Sequence, residues 1–106
     1  ENNIEALIEL EKNCIGCEQT IMIADNFATP RDLNLLDRLS KPVKIILCGW
    51  DLYLNPAYLT IAMKTKGSIH IAGKEYENLH ELRQGDYIEY NGLKYILRNG
   101  KFEVSI

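Results

Sequence analysis

Three groups of residues in this sequence have the types and spacing to do chemistry. The first is Asp25, which ends the apolar run Ile21-Met22-Ile23-Ala24 and is followed by Asn26, Thr29 and Asp32. A carboxylate at the carboxyl end of a buried parallel strand stands where open α/β sheets bind their ligands. With Asn26, Thr29, Asp32 and the amides of the helix that starts there, it would form part of a divalent-metal or phosphate site. In a second reading, Asp25 only bonds backbone amides where the strand ends. The second group is Cys14-Ile15-Gly16-Cys17, the spacing of half a zinc site or of a redox pair. No second Cys-x-x-Cys accompanies it. Redox motifs open a helix after a strand, whereas this one follows a helix, so a plain loop is expected. The third is His70 with His80, which lack a cysteine or serine at a spacing that builds a nucleophile. Gly67, Gly73 and Gly85 fall at turns and not in a phosphate-cradling pattern.

The elements that must position these residues follow from periodicity and punctuation. Ile4, Leu7 and Ile8 predict a helix over 3–12 with Asn3 as its cap, broken at 13–17. The run 21–24 predicts a strand covered on both faces. Thr29 as cap, Pro30 at the first position and Asp32 as a capping-box variant predict a helix over 30–39, with Leu33, Leu35, Leu36 and Leu39 as its stripe. Pro42 closes it. A second strand spans 43–48, with Cys48 expected as a small buried hydrophobe, and Gly49 ends it. Trp50, Tyr53 and Tyr58 in and after the next loop form either a contact surface or packing over the sheet.

Asn55-Pro56 repeats the cap-then-proline signal, giving a helix over 56–65 with Gly67 as a left-handed cap. A third strand follows at 68–71. Helix, strand, helix, strand, helix, strand argues for parallel strands joined by right-handed crossovers. The last third changes character. After a helical turn at 77–83, alternating strands at 87–90, 93–98 and 101–105 are joined by Asn91-Gly92 and Asn99-Gly100. Ile88, Tyr90, Leu93, Tyr95, Leu97, Phe102 and Val104 share the inward face of this antiparallel meander.

A length of 106 residues supports one core, read as an α/β half over 1–72 with a meander extension over 73–106. The charge of −3 offers no footprint for nucleic acid. No run approaches the ~20 apolar residues of a membrane span, and no secretory signal is visible. Glu1 in place of Met suggests an excised or processed piece. Three cysteines cannot complete a disulfide framework, which favours a reducing, cytoplasmic setting.

Met22-Ile23-Ala24-Asp25-Asn26 resembles the apolar strand ending in Thr-Asp-Gly midway through von Willebrand factor type A domains. Arg31-Asp32, the strand 43–49, and Leu59-Thr60-Ile61-Ala62 before Thr65-Lys66-Gly67-Ser68-Ile69-His70 are similar to that family's last half, over about residues 3–72. The resemblance implies a three-layer, doubly wound, Rossmann-like sheet that binds protein ligands through a metal-dependent adhesion site. That site needs an Asp-x-Ser-x-Ser strand that this chain does not contain, a Thr from a later loop, and the Asp matched by Asp25. Asn26 stands where Gly is usual. Only Asp25 carries over, and Mg²⁺ would bind only where a missing half supplies ligands.

The expectation is therefore a non-enzymatic protein-interaction module without a cofactor of its own, its ligand-binding residues being Asp25, Asn26, Thr29, Gly49 and Trp50. In that family the strand matching 21–24 lies mid-sheet. Here its exposed edge is expected to be covered by a second copy of the chain, making a homodimer, or by the missing N-terminal half. The alternative is a small α/β enzyme or receiver-like domain using Asp25 with a divalent metal.

Overall fold

The computed structural model describes residues 3–49 and 52–105. Helix α1 (Asn3–Asn13) leads into strand β1 (Thr20–Asp25), a first 3₁₀ helix (Leu33–Arg38), β2 (Val43–Cys48), α2 (Pro56–Thr65) and β3 (Ser68–Ile71). Then come β4 (Lys74–Glu77), a second 3₁₀ turn (Leu79–Glu81), β5 (Tyr87–Tyr90), β6 (Leu93–Arg98) and β7 (Lys101–Ser105). Strands β1, β2 and β3 are parallel, β4 returns antiparallel beside β3, and β5–β6–β7 form a separate antiparallel sheet. The fold is α/β with a C-terminal meander, as the sequence pattern predicts. The two sheets share one core through α2, which is buried nearly all round, with Tyr58, Leu59, Ile61 and Ala62 enclosed.

The hairpins form as read. Asn91-Gly92 and Asn99-Gly100 both take positive φ at their two central positions, the backbone whose twist matches the flanking strands. Ala72-Gly73 does the same between β3 and β4.

Four local expectations change. First, the segment after β1 is a 3₁₀ helix of six residues and not an α-helix over 30–39. Its capping signal is spent elsewhere. The Asp32 carboxylate accepts the amides of Ile4 (3.2 Å) and Glu5 (2.8 Å), so it caps α1 from across the chain in the place expected of Asn3. Thr29 Oγ1 accepts the Asn55 side-chain amide at 2.9 Å. The far end is tied down too: Glu11 accepts the amides of Ser40 (3.0 Å) and Lys41 (3.0 Å). Partial burial works against the Glu11 anion, but those two amides and the Ser40 hydroxyl outweigh it and hold its carboxyl below the usual range. A segment anchored to α1 at both ends is drawn into the longer-rise 3₁₀ form, with Leu36 buried and Leu33, Leu35 and Leu39 packed beside it.

Second, Cys48 is exposed, because Val43, Ile45 and Leu47 take the inward positions of β2 and the alternation turns Cys48 out. Third, Cys14 and Cys17 are joined by a disulfide across the turn after α1, with Cα atoms 5.5 Å apart, where a plain loop was expected. Fourth, Lys66 and not Gly67 takes the left-handed position (φ 59°) at the end of α2. Gly67 serves close approach instead: a Cβ there would stand 1.9 Å from the Val43 carbonyl oxygen.

The largest departure concerns β1. Met22 and Ala24 are buried, but Ile21 and Ile23 are 55% and 71% exposed. The cause is strand order. The order β1-β2-β3 never reverses, so two right-handed crossovers set their helices on the same face of the sheet. Among the described residues the second helical layer of a doubly wound sheet is absent, and Ile21 and Ile23 face outward.

Gly67→Ala is expected to lower unfolding stability by about 3 kcal/mol or more, since the methyl meets backbone that cannot rotate aside. Lys66→Gly, which relieves a positive φ, should leave stability unchanged or raised. Urea denaturation of the two variants checks both.

Candidate functional site

Five residues were expected to form one ligand site at the carboxyl end of the sheet. The chain alternates at the end of β1, and that alternation divides them. Asp25 is exposed on the open side, where its Oδ1 accepts the Phe27 amide at 2.9 Å in a local turn. Gly49 lies beside it, close enough that a Cβ would sit 3.3 Å from that same oxygen. With Ile23, Ala24 and Cys48 they line a shallow depression of about 350 Å³. Trp50 lies outside the described residues.

Asn26 points the other way and is 3% exposed. Its Oδ1 accepts the Asn55 backbone amide at 2.9 Å, and its Nδ2 donates to the Tyr53 carbonyl. Asn55 is held in turn so that its own Oδ1 accepts the Ala57 amide (3.1 Å), capping α2 as the sequence predicts, while its Nδ2 donates to Thr29. The buried Tyr58 hydroxyl donates to the Ala28 carbonyl at 2.6 Å. Asn26, Thr29, Asn55 and Tyr58 are therefore one polar knot that fastens the loop after β1 to the start of α2. Two of the predicted site residues are structural.

The loop before α2 has a second anchor that sequence reasoning passed over. The Leu54 amide donates to the Tyr95 hydroxyl at 2.8 Å, and Tyr95 is fully buried beneath Tyr53, ring centroids 6.4 Å apart. Burial pushes the Tyr95 phenol up to about 12, with the Leu54 bond pulling the other way. Burial likewise raises Tyr76, and nearby Tyr90 adds to it. Thr60 and Thr65 were also missed. Thr60 accepts the Phe102 amide at 3.1 Å, and Thr65 accepts the Val43 amide at 3.3 Å. The available signal was two threonines inside a largely apolar helix, where a buried hydroxyl must find a partner.

The other candidates do not converge. His70 reaches Glu75 across the β3–β4 pair at 3.0 Å, while His80 is exposed in the second 3₁₀ turn. Tyr58 is core, so that member of the aromatic group does packing work. Among the described residues no three His, Cys, Asp or Glu side chains come together as metal ligands. The residues present do not fit Mg²⁺: Asp25 brings one carboxylate with an oxygen already engaged, against the six oxygens that ion takes. Chemically, this end of the sheet offers hydrogen-bonded scaffolding inside and an exposed apolar strand outside. Comparison with family models, curated proteins and solved structures gives no match.

Substitution separates the two halves of the predicted site. Asn26→Ala removes the acceptor of the buried Asn55 amide and a donor to the half-buried Tyr53 carbonyl, and should cost roughly 2–4 kcal/mol. Asp25→Ala removes one exposed turn bond and should cost under about 1 kcal/mol. Thermal denaturation of the pair gives the ranking, and equal losses would contradict the division.

Proposed function

We propose that this chain is a non-enzymatic protein-interaction module that binds by accepting a polypeptide strand along β1. The observation that carries the reading is the coincidence, on Ile21 and Ile23, of open side chains and open backbone. In the parallel ladder Thr20 donates to the Pro42 carbonyl and Asn26 to the Cys48 carbonyl, so the even positions face β2. The odd positions turn their amides and carbonyls toward the free edge of the sheet. The same two isoleucines lie on the face that no helix covers among the described residues, near half-buried Ile46. β1 has no proline, lysine or bulge in its length, and its one charge, Asp25, stands at its very end. An incoming strand would gain main-chain bonds from the edge and apolar contact from the face.

The resemblance to the last half of a von Willebrand type A domain supports the same reading, since the strand matched by β1 has neighbours on both sides in that family. Two sources of the added strand follow, a second copy of this chain or a preceding half-domain. On the second source, Asp25 and Gly49 would meet whatever ligands that half brings. Cytoplasmic residence would keep Cys14 and Cys17 as thiols, and an oxidising compartment would keep the bridge seen here.

Ile23→Lys places a charge on a side chain that is already exposed, so the fold should persist. In sedimentation velocity across a concentration series, the wild-type chain should dimerise or associate further and Ile23→Lys should remain monomeric. Wild type and variant sedimenting alike, both monomeric or both associated, would rule out self-pairing through β1.

A further inference from the structure

A groove of about 780 Å³ opens between the first 3₁₀ helix and the layer formed by α2 and the start of β7. It lies on the helical side of the sheet, away from the open face of β1. Its floor is Leu36 and Phe102, both buried, and Leu33 and the 65%-exposed Phe27 form its wall. That volume falls within the roughly 300–1,000 Å³ of small-molecule sites.

The charges around it are one-sided. The chain has 15 acidic against 12 basic residues, yet among the described residues the charged ones lining the groove are Lys64 and Lys101, with no carboxylate beside them. Neither lysine has an ion-pair or hydrogen-bond partner among the described residues. Their convergence is built into the fold. Thr60 Oγ1 accepts the Phe102 amide, which ties the start of β7 to α2. Lys64 is one helical turn beyond Thr60, and Lys101 precedes Phe102, so the bond that joins the two elements brings both lysines to the same groove.

From this geometry we infer that the groove binds a small amphipathic carboxylate. Its apolar body lies on Leu33, Leu36 and Phe102 against Phe27, and its head group is shared by Lys64 and Lys101. Two unpaired like charges beside an apolar floor repel one another, and a single anion relieves that repulsion while the hydrocarbon covers the floor. The lysines reach out as flexible point charges, suited to a compact head group of variable pose. Two of them in a chain of net charge −3 do not suit a polyanion.

Decanoate is the probe, titrated into the isotopically labelled chain and followed by amide resonances. Saturable shifts are expected at Phe27, Leu33, Leu36, Lys64 and Phe102, with decanol binding more weakly at the same place. The double variant Lys64→Gln with Lys101→Gln should melt at the wild-type temperature and bind decanoate roughly tenfold more weakly, as loss of a charge-assisted contact implies. Ile23→Lys should bind decanoate as the wild type does, which keeps this site apart from strand docking at β1. The inference fails if no saturable shifts appear, or if they centre on Ile21 and Ile23. It also fails if decanol or the double variant matches decanoate on the wild type.

Discussion

One buried side-chain amide, that of Asn26, holds the carboxyl end of the sheet in place. It bonds the loop before α2 at Tyr53 and Asn55, and through Asn55 it fixes the cap of α2 and the hydroxyl of Thr29. α2 is the element both sheets pack on, so an error at that loop would reach the whole core. Burying an amide is costly unless its groups are paired. Asn26 meets the requirement with a donor and an acceptor from the same loop, which leaves little freedom in where that loop can sit. Leu54 and Tyr95 then lock it from the meander side.

The alternation that turns Asn26 inward turns Asp25 outward, with Ile23 and Ile21 on the same side. Strand order makes that side consequential. Because β1, β2 and β3 lie in sequence order, the crossovers cover one face and leave the other open. Had the order reversed once, a helix would cover Ile21 and Ile23 and the carboxyl ends would form a crevice. The open strand and the divided site are thus two results of one topology.

Much of the fold was legible in the sequence, because its signals are local. Asn55-Pro56, Asn91-Gly92 and Asn99-Gly100 specify backbone geometry within a few residues, and each forms where it was read. The misreadings involve residues whose partners are distant in the chain. Asp32 looks like a cap for its own helix and instead caps α1, 28 residues away. Gly67 looks like a left-handed cap, but its role is set by Val43 on a neighbouring strand. For the site, the direction in which each side chain points was not legible. Asp25 and Asn26 are adjacent in sequence, and they face opposite sides because the strand's alternation runs on past Ala24, where the strand was expected to end. The paired lysines of the groove come from α2 and β7, elements joined only by tertiary contact.

The central claim is that β1 is an unfilled edge awaiting a strand. Amide hydrogen exchange at Ile21 and Ile23 tests it most directly, measured against the amides of Met22 and Ala24, which face β2. The account predicts rapid exchange at Ile21 and Ile23 in dilute chain, slow exchange at Met22 and Ala24, and protection of the odd positions once a strand is bound through association. Strong protection of Ile21 and Ile23 in the dilute monomer, or no protection of them under any associating condition, would contradict it.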